Sequence, residues 1–453
     1  MQLSSEISVF SQLFFILLAL TLITFTPETD LMFWVQTPNQ AFHLGLWGYL
    51  GLLTLLYGQS KYLAPRLKIH LQTFWWSLVN LELLFFLSLY HFGVGAHRFF
   101  LQGWLSSYQT PYTLASLLLY FLAFGWAHIW YSYFKFHRNL KKAFKGACGE
   151  LLFFCPFCIP FVVISFLLDG LEHLPAWQHF PLPVSQDDIL LAFSFCLLAL
   201  TLVFLPACMI FCWRCHPIGN VDLKERLERM CASLNFRHAG LKIWSAMPHS
   251  FTAGIIGVVP AFRYILFTPA LLNRFQPEEI EAILIHEIGH NRYKHLLLYP
   301  FIMTGMLILG ALLLIGLENS LLSALDPISQ ELGYYSLVMG LFILYALVLG
   351  IYFRVIFGFF SRLFERQADL YIFESPHSPI YLIQAFDRLG VVTGHTHSHP
   401  SWHHDSLQKR IHFLYKAMEN PHLIQRHHRR VKKWLILYFL GLILGCLTLY
   451  AMM

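Results

Sequence analysis

The sequence predicts an all-α membrane protein of about nine transmembrane helices, and three observations carry that expectation. Of the 453 residues 57% are hydrophobic and only 12% are charged, against about 25% charged in an ordinary soluble domain. That balance excludes a soluble, a disordered or a nucleic-acid-coating chain. Apolar runs of about twenty residues recur, each long enough to cross a hydrocarbon core of roughly 30 Å as a helix. Lys and Arg are, finally, concentrated in alternate connections between those runs.

The candidate spans are residues 7–25, 41–57, 71–93, 112–134, 151–169, 189–213, 296–317, 335–358 and 434–452. The first has neither a basic leader nor a small-residue cleavage site, so it reads as a retained span. The second is the shortest and carries Gly45, Gly48 and Gly51. Connections on the cytoplasmic side of a membrane collect Lys and Arg. Here the connections after the second, fourth, sixth and eighth spans hold all of them except Arg98 and Arg354. This places the N-terminus and both large polar regions on the cytoplasmic side. The expected organisation is a six-span region (1–213), a polar region (214–295), a transmembrane hairpin (296–358), a second polar region (359–433) and a last span (434–453). Nine cysteines, scattered through apolar runs, are expected as reduced thiols.

The chemistry sits in residues 276–295, QPEEIEAILIHEIGHNRYKH. Pro277 suits a first helical turn, Glu278 and Glu279 suit the positive end of the dipole, and Ile280, Ile283, Leu284 and Ile288 form an apolar face. Within it, His286-Glu287-Ile288-Gly289-His290 is the H-E-x-x-H pattern. Four residues advance a helix by about 400°, so both imidazoles lie on one face and can share a zinc ion. Glu287 is placed to take a proton from water at the metal rather than to bind it. Chance alone yields roughly 0.04 such matches in a chain this rich in histidine, so a helix of interfacial histidines is the plain alternative. A catalytic zinc site needs a third protein ligand. His295 falls about 900° from His286, on the opposite face of a straight helix. Glu365, beyond the eighth span and on the same membrane side, is the better candidate. Asp369, one turn later, is placed to hold a ligand imidazole in the right tautomer.

HEIGH, a hairpin of two spans and then Glu365-Arg-Gln-Ala-Asp369 resemble the integral-membrane gluzincin metalloproteases that include the CAAX prenyl endopeptidases and the HtpX-type heat-shock proteases. The resemblance covers roughly residues 218–415. It implies His286, His290 and Glu365 as ligands of one zinc ion, Glu287 as general base and Asp369 as supporting acid. It also implies a mostly helical cytoplasmic protease region with a small sheet whose edge strand holds extended substrate. Ser250, Phe251, Thr252, Ala253 and Gly254 match that strand segment, although His249 stands where the family has Asn. Residues 401–411 are similar to a further family segment and place His404 and Arg410 near the site. Asp405 replaces the usual Pro there, so His404 is either an oxyanion-stabilising group or an ordinary polar surface residue. A seven-span prenyl-endopeptidase chamber has two spans fewer than the count here.

The function so implied is a zinc-dependent membrane endopeptidase acting on membrane-associated, lipidated or misfolded membrane proteins at the cytoplasmic side, with the bilayer as partner and no nucleic acid. Two rivals are a protease-linked sensor that cleaves a cytosolic regulator and a non-catalytic transporter or scaffold. Short extracytoplasmic connections speak against the first, and the complete ligand-and-base set speaks against the second. Cys212-Trp-Arg-Cys215-His216 matches a haem-attachment pattern, but on the cytoplasmic side such attachment is not expected. Cys155 and Cys158 lie in an apolar span and are expected to pack as small hydrophobes. Glu82, with Asn80, falls in mid-span and awaits a partner. The basic stretch 425–433 is expected to lie against lipid headgroups.

Overall fold

The structure, a computed structural model, describes residues 15–16, 18–20, 22–23, 37–67, 71–94, 110–173, 186–248, 250–317, 344, 347–394 and 405–452. The chain divides into two compact units, residues 1–216 with 244–248, and residues 217–243 with 249–453.

The first unit is helical: α1 (Pro38–Tyr62), α2 (Gln72–Ser88), α3 (Thr110–Ser132), α4 (Leu140–Glu172) and α5 (Gln186–Cys212). Caps set the starts of two of them. The Thr37 side chain accepts from the amide of Gln40 ahead of Pro38 in α1, and the Asn139 side chain accepts from that of Lys142 at the start of α4. In lipid a polar group must find its partner within the protein, and several here do. The Tyr120 hydroxyl donates to Asn80 Oδ1 at 2.6 Å, Trp126 Nε1 to the Leu53 carbonyl at 3.0 Å, and Gln59 Nε2 to Glu82 Oε1 at 2.6 Å. Gln59 is thus the partner that the mid-span Glu82 required. No disulfide joins any of the nine cysteines.

The second unit begins at β1 (His216–Pro217), whose first residue closes the other unit. It continues through α6 (Val221–Ser233), β2 (Gly240–Ile243), β3 (Ala253–Ile256), β4 (Tyr264–Phe267), α7 (Pro269–Arg274), α8 (Pro277–Arg292), α9 (His295–Leu317), α10 (Gly358–Leu370), α11 (Pro379–Val392), α12 (Leu407–Glu419) and α13 (His422–Met452). In the sheet β4 pairs parallel with β2 and antiparallel with β3, which leaves β3 at an edge. The turn from β3 to β4 needs Gly257, at φ +94°, because a Cβ there would come within 2.3 Å of the Phe262 carbonyl oxygen. Leu223, Leu227 and Cys231, at helical spacing on α6, close over a core shared by Ile265 and Phe267 of β4, Ile280, Leu284, Ile285 and Ile288 of α8, and Leu382 of α11. Of the four α8 residues expected on the apolar face, Ile280, Leu284 and Ile288 are buried and Ile283 partly so, and Ile285 joins them. Full burial of each stabilises the unit by roughly 1.5–3 kcal/mol.

Among the described residues six helices are long and apolar enough to cross a membrane, where nine were expected. They fall at the second, fourth, fifth, seventh, eighth and ninth predicted spans. At the third, α2 is 17 residues long and then widens into the π turn Leu89–Gly93. At the sixth, the apolar stretch Cys196–Cys212 lies within α5, which is 27 residues long. The first predicted span lies largely outside the described residues. So does the first half of the eighth, which is described as one continuous helix over Leu347–Glu374. That helix passes through a π turn at Phe353–Phe357 and becomes α10, so Glu365 and Asp369 ride on a direct extension of a membrane-length segment.

Candidate metal centre

Helix α8 is fixed at both ends. At its start Gln276 and Glu279 form a reciprocal capping box, with the Gln276 amide donating to Glu279 Oε2 at 2.8 Å. Arg388 of α11 holds the same Glu279 at 2.8 Å, and Arg226 of α6 reaches Glu278 and Glu281, each at 2.9 Å. At its end Lys294 adopts a left-handed conformation (φ 59°), which stops the helix and turns the chain into α9.

Helices α8 and α10 touch at Gly289. A Cβ there would stand 2.8 Å from Tyr371 Cβ and 3.0 Å from the Ala368 carbonyl oxygen, so only glycine lets the helices approach this closely. Gly289→Ala is expected to destabilise the protein by about 1–3 kcal/mol through overpacking. It should also cost roughly 100-fold in turnover by shifting the two ligand-bearing helices apart. Thermal unfolding and a rate assay check this, and an alanine variant with unchanged melting and rate would show that the contact is not needed.

That approach brings His286, His290 and Glu365 together. The Nε2 atoms of the two histidines are 3.3 Å apart, Glu365 Oε1 is 3.5 Å from His290 Nε2, and Glu365 Oε2 is 3.7 Å from His286 Nε2. Zinc bonds of about 2.0–2.2 Å in a tetrahedron set their ligand atoms about 3.4 Å apart. The three donors thus fit a zinc ion in spacing, and two imidazoles with one carboxylate fit it in chemistry. They are three protein donors, the number a catalytic zinc site uses before water.

Each donor is oriented by a further group. Asp369, with 0% exposure, lies 3.0 Å from His286 Nδ1, which keeps Nε2 turned to the other donors. Arg410 Nε donates to Asp369 Oδ2 at 2.9 Å, and its Nη1 lies 3.1 Å from Glu365 Oε2. The guanidinium stacks on Phe386, 4.1 Å from the ring centre. Burial would push the His286 imidazole below the ordinary histidine range, but the adjoining Asp369 carboxylate outweighs it and raises the value. His290 is held well below that range, chiefly because burial disfavours the imidazolium. Burial also disfavours the charged form of Arg410, and the carboxylates of Asp369 and Glu365 more than offset it. Glu287 is half-buried beside His286, close enough to Arg410 for its charge to stabilise the guanidinium.

Among the other expected residues, Ala253 and Gly254 lie in the edge strand β3, but Ser250, Phe251 and Thr252 precede it. The Thr252 amide donates to Thr268 Oγ1 at 3.1 Å, and the Thr268 amide to the Thr252 carbonyl at 3.1 Å, so that corner is already tied to β4. Packing of Phe251 against Phe275 anchors it further. His404 and His249 lie outside the described residues. Asp405, the departure from the family segment, has a visible use: it accepts from Arg366 Nε at 2.8 Å and so ties the start of α12 to the helix that carries Glu365. Two residues escaped the sequence reading, Gln367 and His428, while His295, set aside there as a third ligand, stands against His290.

Two histidines a turn apart on one helix and a glutamate from a second, on a chain with six membrane-length helices among its described residues, make up the donor set of a membrane metalloprotease. Residues 217–417, a little under half of the chain, match the model of peptidase family M48, and the resemblance to the membrane zinc metalloprotease family is borne out. A CAAX prenyl protease 1 homolog of Arabidopsis thaliana is 28% identical over 161 residues, 34% of this chain and 37% of that protein, so the match spans little more than a third of the relative. The crystal structure of S. mikatae Ste24p superposes with a TM-score of 0.45 at 17% identity, over 83% of this chain and 97% of that one.

Proposed function

We propose that this chain is a zinc-dependent membrane endopeptidase that hydrolyses peptide bonds of membrane-associated, lipidated or misfolded membrane proteins at the cytoplasmic side. The observation that carries the reading is the convergence of His286, His290 and Glu365 at zinc-ligand spacing with Glu287 next to them on the same helix. A zinc ion held by those three residues supplies Lewis acidity, acidifying water and polarising a carbonyl. Glu287 accepts the proton of the attacking water and returns it to the leaving amine. Asp369 and Arg410 position His286 and Glu365 and do not themselves touch the reacting atoms. The open edge of β3 receives an extended peptide by main-chain pairing, with Ala253 and Gly254 at its start.

The charge pattern supports the cytoplasmic side, and the short path from His290 to α9 supports action close to the bilayer. A lipidated substrate agrees with the name of the Arabidopsis relative, a CAAX prenyl protease homolog. The test is cleavage of a prenylated peptide ending in a CAAX sequence, and of an unlipidated membrane-anchored reporter, by the detergent-solubilised protein. Treatment with a chelator is expected to abolish cleavage of at least one, and stoichiometric zinc to restore it. Cleavage unchanged by the chelator would sink the metalloprotease reading. No bound metal in untreated protein, even after zinc loading, would favour a scaffold.

A further inference from the structure

His295 is buried to 1% exposure and stands between the two helices that supply the metal donors. Its Nδ1 lies 3.1 Å from Nδ1 of His290, and its Nε2 lies 3.1 Å from Gln367 Oε1 of α10. Its ring stacks on Phe364, the residue before Glu365, with centroids 4.3 Å apart and planes 11° from parallel. Gln367 Nε2 in turn lies 2.9 Å from His428 Nδ1 on α13.

These contacts form a chain whose direction the metal determines. A metal at His290 needs the lone pair of Nε2, so the single ring proton of neutral His290 sits on Nδ1 and donates to His295. His295 must then accept at Nδ1 and donate from Nε2 to Gln367 Oε1. Gln367 Nε2 is left to donate to His428 Nδ1. If the chain ran the other way, His290 Nε2 would carry the proton and its lone pair would be lost to the metal.

We propose that His295, held by Gln367, is a positioning residue that fixes His290 as the tautomer presenting Nε2 to the metal. The inference rests on the metal-site reading above and adds to it the acceptor that His290 requires. A chelator-competition titration with zinc alone, on the full-length detergent-solubilised protein, tests it. His295→Phe keeps an aromatic ring on Phe364 but removes the acceptor, and zinc affinity is expected to fall by about 10- to 100-fold. His295→Asn removes the ring but places an amide oxygen near the Nδ1 position, and affinity is expected to stay within several-fold of wild type. A purely packing role predicts the reverse order. Gln367→Leu, which strands His295 Nε2, should weaken zinc in the same direction and carries the test if His295→Phe fails to fold.

Tight zinc binding by both His295→Phe and Gln367→Leu, or tighter binding by His295→Phe than by His295→Asn, overturns the proposal while leaving the metal site intact. Wild-type protein that binds no more zinc than a Glu365→Ala variant overturns both.

Discussion

Replacement of Glu287 by Gln is expected to lower the rate of peptide hydrolysis by about a thousand-fold or more while one zinc ion stays bound. The change keeps the size and hydrogen-bonding reach of the side chain and removes only the ability to take up a proton. General-base assistance contributes about 10²–10⁴ in rate, and here the same carboxylate serves twice, once for the water and once for the leaving amine. The metal donors are untouched, because His286, His290 and Glu365 form the cluster without Glu287. Zinc content and substrate affinity should therefore match wild type, and the loss should lie in kcat. Glu287→Asp, one methylene shorter, should fall between the two. A glutamine variant that keeps zinc and turns over within tenfold of wild type would remove Glu287 from the mechanism.

The parts of this site that the sequence shows are those that a regular helix dictates. His286 and His290 share a face because a helix advances about 100° per residue, and Asp369 follows Glu365 by one turn for the same reason. The same regularity hid His295. Its angle from His286 was reckoned along a straight helix, whereas Lys294 takes a left-handed backbone and brings His295 against His290. No composition or spacing rule signals that turn, since lysine has no special preference for it. The edge strand was placed about three residues early, because the Thr252–Thr268 pairing that holds the preceding corner is a long-range side-chain contact. Asp405 looked like a mere departure from the family segment until Arg366 appeared opposite it. Hydropathy found the six membrane-length helices among the described residues, but at the third span an apolar run records length and not whether the helix widens partway, as α2 does at Leu89.

The other large effect is expected at Asp369, where stability and metal binding can be separated. Its carboxylate is wholly buried and engaged by Arg410 on one side and by His286 on the other. In Asp369→Ala the buried Arg410 keeps the Glu365 carboxylate, 3.1 Å away, and its charge then draws on a metal donor. Breaking one side of a buried pair costs about 3–5 kcal/mol, so a marked drop in melting temperature is expected. Loss of the group that orients a ligand imidazole should weaken zinc by a further 10- to 100-fold, roughly. The double variant Asp369→Leu/Arg410→Met replaces the pair by apolar side chains, which is often neutral or stabilising for a buried ion pair. It should recover most of the melting temperature without recovering zinc affinity, because His286 still lacks its partner. Thermal unfolding of the metal-free protein and zinc competition on the same samples read the two effects apart. If the double variant regains zinc affinity together with stability, Asp369 serves the fold alone and His286 needs no partner to bind the metal.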